Sequence, residues 1–263
     1  MTITAAIITN KLPLSPLLLS SLSFANEIIV IIDTPISRHR ERSVAIQKGD
    51  RLPRFEYETR NDNIGKIKIF FHPLNNDFSA QRNFALQKAK SEWVLFIDDD
   101  EYVGTELARE IIEAIKTSDF NGYLIKRLDV AYHTPLLHGE TGNIKILRLA
   151  RRTSGEFQRP VHETWKIDGR VGELRSPLYH HKDHFISEFI SRMDQYGHID
   201  SRILTTEGKP FSWLRLLIYP LAKFKLNYIF RAGFLDGTAG LFLAYLMAVQ
   251  SLTVRVFQWQ NQN

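Results

Sequence analysis

The 263-residue sequence contains no cysteine. This absence excludes a disulfide framework and a thiolate zinc site. The sequence also lacks Gly-, Pro- or Ser-rich tracts and any fixed-period repeat, which excludes a solenoid and long disordered segments. Residues 1–5 lack the basic start of a signal peptide, so we expect that the chain is not exported. The length fits one α/β domain that carries an appended segment.

Acidic residues are scarce in the C-terminal part. From residue 209 to the end the sequence contains one acidic residue, Asp236. The basic residues of this segment are Lys209, Arg215, Lys223, Lys225, Arg231 and Arg255. The net charge of +5 indicates an anionic partner. Bulky apolar residues lie between the basic ones, which favours an anionic membrane surface as the partner and argues against nucleic acid.

The apolar run at residues 237–254 carries no charge. It is about as long as the shortest membrane-spanning helices. Because it contains threonine, serine and glutamine, we expect a helix that lies at the membrane interface or is packed within a helical pair, rather than one that spans the bilayer. The localisation that we expect is therefore cytoplasmic, peripheral at the inner face of the cell membrane.

Apolar runs rich in β-branched residues alternate with segments of helical periodicity in the first half of the chain. The predicted strands are residues 3–9, 27–33, 66–72, 93–98 and 122–126. The predicted helices are residues 14–24, 37–47, 79–90 and 105–116, with Asp77 or Ser79 as the cap of the third. This alternation predicts an α/β fold with a mostly parallel sheet flanked by helices.

Two further features divide the chain. Residues 49–65 are polar and are interpreted as an insertion between the second helix and the third strand. From residue 185 to the end the pattern is helical. We therefore predict a catalytic domain over residues 1–184 and a helical, basic and amphipathic region over residues 185–263 that associates with a membrane.

Four consecutive acids, Asp98, Asp99, Asp100 and Glu101, follow the apolar strand of residues 93–97. Open α/β sheets bind ligands at the carboxyl ends of their strands. Crowded carboxylates repel one another unless a cation compensates, and hard oxygen ligands suit Mg²⁺ or Mn²⁺ held together with a diphosphate. The alternative is a solvated acidic turn before the helix that begins at Thr105.

Several segments in this order resemble family 2 glycosyltransferases of the GT-A fold, in particular the lipopolysaccharide-core β-glucosyltransferase-like branch. They are residues 6–10 (AIITN), Asp33, and residues 73–86 (PLNNDFSAQRNFAL), 96–101 (FIDDDE), 159–163 (RPVHE) and 233–237 (GFLDG). The resemblance implies a GT-A, Rossmann-like domain that transfers a hexose from a nucleotide sugar, with a UDP-sugar expected. It implies a lipid-linked or cell-envelope glycan, or an oligosaccharide, as the acceptor.

The resemblance also assigns roles to residues. Asp98 and Asp100 correspond to the Asp-x-Asp pair that holds the metal, and Asp98 also meets the donor. Asp99 fills the variable middle position and is counted with the donor-binding residues, as is Thr9 at the end of the first strand. Asp33 would meet the base or ribose of the donor. The segment Gln81, Arg82 and Asn83 at a helix start would line the donor site.

Inverting transfer needs a base that removes the acceptor hydroxyl proton. Glu163 is the predicted base, with His162 beside it as a second catalytic candidate. His162 could instead be a metal ligand, an acceptor contact or a structural histidine. If Glu163 is not the base, Asp129 or Glu140 is next.

Two other functions stay open at this point. A sugar nucleotidyltransferase would use similar metal-binding acids, but residues 9–13 lack the glycine of a phosphate loop. A membrane-associated binding or scaffold protein with an inactive transferase fold is the second alternative. Stabilisation by a UDP-sugar and metal supports the leading hypothesis, whereas no response to any nucleotide favours the scaffold.

Overall fold

The computed structural model describes residues 1–10, 12–33, 57–61, 64–75, 77–116, 119–160, 163–182 and 185–262. The chain divides into two compact units. The first is formed by residues 1–126 and 145–179, and the second by residues 127–144 and 180–263. The grouping differs from the predicted division after residue 184, because residues 127–144 belong to the same unit as the C-terminal helices. Membrane association of residues 185–263 stays a prediction.

The described strands are β1 Ile3–Thr9, β2 Glu27–Ile32, β3 Tyr57–Asn61, β4 Ile64–Phe71, β5 Trp93–Asp98, β6 Glu101–Val103, β7 Gly122–Ala131, β8 Thr134–Pro135, β9 Ile144–Arg151, β10 Gly155–Gln158, β11 Thr164–Ile167, β12 Val171–Glu173 and β13 Leu178–Lys182. The helices are α1 Pro16–Ser21, α2 Phe78–Lys88, α3 Thr105–Lys116, α4 Phe185–Thr206, α5 Trp213–Lys225 and α6 Gly237–Gln260. A π-helical turn, Leu226–Phe230, and a 3₁₀ turn, Gly233–Asp236, lie between α5 and α6.

The described residues form a large mixed sheet in the order β3-β4-β2-β1-β5-β9-β7-β13-β6. Its centre is parallel, since β1 pairs in parallel with both β2 and β5, and β2 pairs in parallel with β4. The antiparallel pairs in this sheet include β3 with β4, β5 with β9 and β7 with β8. The predicted mostly parallel α/β sheet flanked by helices is confirmed.

The predicted bounds of β1, β5 and α3 agree with the structure. Predicted helix 37–47 lies outside the described residues. Of the predicted insertion at residues 49–65, the described part contributes β3 and the start of β4, which pair at the sheet edge, and the rest lies outside the described residues. The strands after residue 131 were not predicted, because most of them are only two to five residues long.

Alternate residues of the central strands enter two apolar clusters, as the two-residue period of a strand requires. In β1, Ile3, Ala5 and Ile7 join buried residues of α1 and α3 in one cluster. On the other face, Ala6 and Phe96 join buried residues of α2. The sheet is thus covered by helices on both faces, which fixes where the carboxyl ends of the strands emerge.

Helix α2 begins at the predicted cap. The Asp77 carboxylate accepts a hydrogen bond from the backbone N–H of Ala80 at 2.9 Å and another from the Ser79 hydroxyl at 2.6 Å. These bonds, the one from Ser79 first, lower the pKa of Asp77. The cap satisfies an N–H group that has no partner within the helix and fixes the start of the segment that carries Gln81, Arg82 and Asn83.

The second unit is built on its helices. An apolar core joins Ala131 and Leu136 to Phe185 of α4 and to Ala239 and Leu243 of α6. Among the described residues, the stretch Gly233–Gln260 is the one helix that is long and apolar enough to cross a membrane, judged by length and composition. The predicted helical C-terminal region is confirmed as α4, α5 and α6.

Asp129 is a buried charge in this second unit. Its carboxylate binds His180 Nδ1 at 2.8 Å and accepts from Lys182 Nζ at 2.7 Å. Burial raises the pKa of Asp129, but the hydrogen bond with His180 and the charge of Lys182 outweigh it and lower the pKa to about 2. The folded protein therefore holds this carboxylate ionised at pH values at which the unfolded chain is protonated.

Asp129→Asn should reduce the loss of unfolding free energy that the protein undergoes as the pH falls below about 4. Since the pKa is lower in the folded state, Asp129 stabilises the fold above about pH 4, and this contribution is lost as the pH falls towards 2. The parent protein should lose about 2 kcal/mol more unfolding free energy than the variant between about pH 4 and pH 2.

Urea denaturation at several pH values measures this difference. The exposed Asp119→Asn change is the control and should keep the parental slope. Equal slopes for the parent protein and the Asp129→Asn variant would contradict the assignment.

Candidate functional site

The site lies at the carboxyl ends of β1, β2 and β5. In the strand order β4-β2-β1-β5, the chain first adds β2 and β4 on one side of β1 and then adds β5 on the other side. The edge between β1 and β5 is therefore a topological switch point of the sheet. Thr9 ends β1, Asp33 follows β2, and Asp98 and Asp99 end and follow β5. Parallel pairing brings these residues to one edge, although up to 90 positions separate them in sequence.

Two buried arginines bind the Asp98 carboxylate. Arg148 of β9 donates to both of its oxygens, from Nη1 to Oδ1 at 3.2 Å and from Nη2 to Oδ2. Arg82 of α2 donates from Nη2 to Oδ1 at 3.3 Å. Arg148 also donates to Glu101 Oε1 at 3.0 Å, and Glu101 accepts the backbone N–H of Asp98. The first and last acids of the run therefore share one guanidinium group.

These contacts set the charge state of the centre. Burial raises the pKa of Asp98, but the guanidinium groups of Arg148 and Arg82 outweigh it and hold that pKa well below its usual range. Burial lowers the pKa of Arg148, and the charges of Asp98 and Glu101 outweigh it and raise that pKa. Asp98 and Arg148 thus stay charged over the pH range in which proteins are stable.

Arg82 connects this centre to the predicted base. Its Nε donates to Glu163 Oε1 at 2.9 Å while its Nη2 binds Asp98. The guanidinium carbon lies 5.4 Å from the centre of the Phe96 ring and 5.5 Å from that of Phe157. The side chain is therefore held between two rings and two carboxylates, an arrangement that restricts its rotamers.

The resulting chain of charges runs Glu163, Arg82, Asp98, Arg148, Glu101. Its members come from α2, β5, β6, β9 and the residue before β11. Each positive group lies between two negative ones, so neighbouring charges attract throughout. Glu163 is at one end, and the described residues form no hydrogen bond with its second oxygen, Oε2.

The neighbours of Arg82 bind the backbone. The Gln81 amide donates to the carbonyl of His72 at 2.8 Å, and the Gln81 side chain is buried. Asn83 exchanges two hydrogen bonds with the backbone of Phe157, at 2.9 Å and 2.8 Å. These bonds fasten α2 to the end of β4 and to β10, and they keep Arg82 in place between them. A direct donor contact of Gln81 or Asn83 stays a prediction.

The remaining predicted donor residues also have protein partners. The Thr9 hydroxyl donates to Asp99 Oδ2 at 2.6 Å, which links β1 to the turn after β5 across the switch point. Asp33 Oδ1 accepts the backbone N–H of Leu74 at 2.8 Å. The structure brings Arg82, Asp98 and Glu163 into one network. His162 lies outside the described residues, so its predicted role stays a prediction.

The predicted metal ligands differ in how they are placed. Both oxygens of Asp98 already face guanidinium groups, so Asp98 as placed does not fit a metal ligand. Asp100 is half-buried in the turn after β5. In the part of the chain that the structure describes, no three His, Asp or Glu residues gather in a way that could hold a metal. Mg²⁺ in nucleotide sites is bound by one or two carboxylates together with phosphate oxygens, and this role of Asp100 stays a prediction.

The two reserve bases have other partners. Asp129 is buried and bound by His180 and Lys182. Glu140 forms ion pairs with Lys223 at 2.6 Å and Arg231 at 3.7 Å. Both belong to the second unit. Of the three candidate bases, Glu163 is the one that is connected to the end of β5, because Arg82 binds both Glu163 and Asp98.

The network contains two residues for which the sequence indicated no individual role in the site, Arg148 and Glu101. Their signal is present but weak. Residues 144–151 (IKILRLAR) form an apolar run whose charged residues recur at every third position, which is neither the strand period nor the helix period. In the structure β9 pairs with β5 so that Leu149 lies opposite Leu95. This register carries Arg148 towards the acidic end of β5.

A comparison with family models gives a match to "Glycosyl transferase family 2" over residues 26–172, which is more than half of the chain. The matched region contains Arg82, Asp98, Arg148 and Glu163.

Individual relatives share less of the sequence. "Lipopolysaccharide core biosynthesis glycosyltransferase LpsC" of Rhizobium meliloti is 27% identical over 198 residues, which cover 70% of this chain and 72% of LpsC. The uncharacterized glycosyltransferase RT0209 of Rickettsia typhi is 25% identical over 182 residues, 62% of this chain and 60% of that protein. Among solved structures, S. aureus TarS 1-349 is 15% identical and has a TM-score of 0.43. The match covers 100% of this chain and 92% of the TarS chain.

Arg148→Met should destabilise the first unit strongly. It removes the partner shared by Asp98 and Glu101 and leaves buried carboxylate charge uncompensated, at a cost of about 3–5 kcal/mol. Lys145→Met on the same strand is the matched control, because it breaks an exposed ion pair with Glu173 and should cost less than about 1 kcal/mol. Urea denaturation compares the two, and equal losses would show that the Arg148 contacts are not structural.

Proposed function

The chain belongs to glycosyl transferase family 2, and on this premise we propose that it is an inverting glycosyltransferase that moves a hexose from a nucleotide sugar to a glycan. Glycosyltransferase activity itself follows from the family. The donor that we propose is a UDP-sugar. The acceptor is a lipid-linked or cell-envelope glycan, and the name of the relative LpsC, which refers to lipopolysaccharide core biosynthesis, supports this choice. The protein acts in the cytoplasm, peripherally at the inner face of the cell membrane.

One observation carries the proposal. Arg82 binds Glu163, the predicted base, and Asp98, the predicted donor residue, although Glu163 lies 81 positions from Arg82 along the chain. Because Arg82 binds both residues, the base Glu163 and the donor residue Asp98 are held at a fixed distance from each other. Transfer needs such a separation, because the acceptor oxygen must attack the anomeric carbon from the side opposite the departing diphosphate.

Glu163 accepts the proton of the acceptor hydroxyl. Arg82 Nε holds Oε1 at 2.9 Å, which orients the carboxylate and leaves Oε2 to face the hydroxyl. As the proton moves to Oε2, the acceptor oxygen forms its bond to the anomeric carbon and the bond to the nucleoside diphosphate breaks. A carboxylate positioned in this way contributes about 10²–10⁴-fold to the rate.

The departing diphosphate carries negative charge that the site has to stabilise. Arg82 is the buried cation that borders both ends of the site. Asp100 is the carboxylate that we propose for Mg²⁺ or Mn²⁺ entering with the donor, and such a metal supplies Lewis-acid stabilisation of the diphosphate oxygens. Asp98 stays bound to Arg148 and Arg82 and holds these two side chains in position, in place of its predicted metal role.

Glu163→Gln should abolish transfer and leave donor binding intact. Glutamine keeps the oxygen that accepts from Arg82, so the change removes proton acceptance and little else. The expected loss is at least about 100-fold in the rate of transfer. The measurement combines turnover with thermal stabilisation by UDP-glucose, UDP-galactose, UDP-N-acetylglucosamine and GDP-mannose.

The exposed Glu156→Gln on β10 is the control and should turn over normally. Normal turnover of the Glu163→Gln protein would place the base elsewhere. If the parent protein responds to none of these nucleotides, a binding or scaffold function replaces the proposed one.

Asp100→Asn should raise the Mn²⁺ concentration needed for half-maximal donor hydrolysis by at least about tenfold, because it removes the proposed ligand. Asp98→Asn is the comparison. If Asp98 serves the arginines rather than the metal, its variant loses stability but keeps the parental Mn²⁺ requirement. A raised requirement in the Asp98→Asn protein alone would reassign the ligand to Asp98.

A further inference from the structure

Helix α5 presents its apolar side to the outside. Leu214, Leu217, Ile218 and Leu221 are exposed, and their spacing of three and four places them on one helix face. Along this helix of the second unit, no residue is fully buried. A surface helix of a water-soluble protein normally turns such a face towards the core.

The exposed apolar surface continues into the turns after α5. Six large apolar side chains on α5 and in the turns that follow it are 62–78% exposed: Trp213, Leu214, Leu217, Leu221, Phe230 and Leu235. We call these six residues the α5 face. Scattered single apolar residues are normal on a protein surface, but a group of this size within 23 consecutive residues marks a contact site.

The charge along the segment that carries the α5 face has one sign. Between Glu207 and Asp236 the chain has no acidic residue, and its basic residues there are Lys209, Arg215, Lys223, Lys225 and Arg231. Lys223 and Arg231 form ion pairs with Glu140, and Lys225 is exposed. Large apolar side chains among cations complement a surface that is apolar inside and anionic at its edge, which is the structure of an anionic lipid leaflet.

Helix α6 is less suited to this contact, although its sequence is more hydrophobic. It packs against both α4 and α5, and its residues Ala239, Leu243 and Val254 are buried. Its large outward side chains are only 40–57% exposed: Phe242, Tyr245, Val249, Leu252, Val256 and Trp259. The buried Gln258 donates to the carbonyl of Lys209 at 2.8 Å, which fastens the end of α6 to the segment before α5.

We infer that the α5 face is the membrane-binding surface of the chain, and that its partner is the anionic phospholipid surface of a bilayer. Helix α5 lies in the plane of the interface, with the turns at Phe230 and Leu235 inserted beside it, while α6 serves as its support. This inference rests on the proposed action at the membrane and identifies the segment that makes the contact. Of the two arrangements expected for residues 237–254, α6 then adopts packing against other helices and not contact with the membrane interface.

The first test uses vesicles of phosphatidylcholine with and without 30% phosphatidylglycerol, an amount of about one anionic lipid in three. The triple variant Leu214→Ser, Leu217→Ser, Leu221→Ser should weaken co-sedimentation of the full-length protein at least about 100-fold. The matched α6 variant Phe242→Ser, Tyr245→Ser, Val249→Ser should bind like the parent protein. Lys225→Gln should weaken binding to the anionic vesicles about fivefold and have little effect on neutral ones.

The second test locates the inserted segment directly. Trp213 at the start of α5 and Trp259 near the end of α6 are exposed, whereas Trp93 and Trp165 are buried. Brominated acyl chains quench tryptophans that enter the bilayer. Quenching should be lost in the Trp213→Phe protein and retained in the Trp259→Phe protein.

Three results would overturn the inference: parental vesicle binding by the triple α5 variant, loss of quenching in Trp259→Phe only, or no binding of the parent protein to anionic vesicles. If the parent protein fails to bind vesicles and light scattering shows a dimer that the α5 variant abolishes, the face joins two copies. Donor hydrolysis without vesicles, which the α5 changes should leave intact, is measured in parallel. Vesicle binding without any donor hydrolysis would refute the proposed function and leave this inference standing.

Discussion

The contact between Asp98 and the two arginines holds the first unit together around its site. Four acids in a row at the end of a strand would repel one another, and Arg148 removes that conflict by binding the first and the last of them. Arg82 adds a second cation from α2. Because these cations come from different elements, neutralising the acids also fixes α2 and β9 against β5. The ion pairs that neutralise the acids of this one turn therefore also fix the positions of neighbouring elements at the sheet edge.

The parts of the fold that were predictable are those in which local pattern and burial agree. The bounds of β1, β5 and α3 could be derived from the sequence because each has a continuous apolar run or stripe between clear ends. The strands after residue 131 are short, and their polar residues follow no single period. Their place depends on partners far along the chain, as β9 shows by pairing with β5, and single-sequence patterns do not contain such pairings.

The site was predictable in its location but less so in its contacts. Parallel strands bring Thr9, Asp33 and Asp98 to one edge, and this follows from topology. The crowding of acids indicates a need for positive charge, and at Asp98 and Glu101 the structure meets it with guanidinium groups, while the metal at this end of the strand stays a prediction. Gln81 and Asn83 lie at a helix start that could bind an anion, but their amides find backbone partners, which only tertiary packing can determine.

Arg82 has a consequence beyond its individual bonds. One planar group serves the carboxylates of Glu163 and Asp98 at the same time, so neither carboxylate can be adjusted without disturbing the other. Free-energy changes at these three positions are therefore coupled rather than additive. For evolution this makes the trio a unit: a replacement tolerated at one of the three positions depends on which residues occupy the other two.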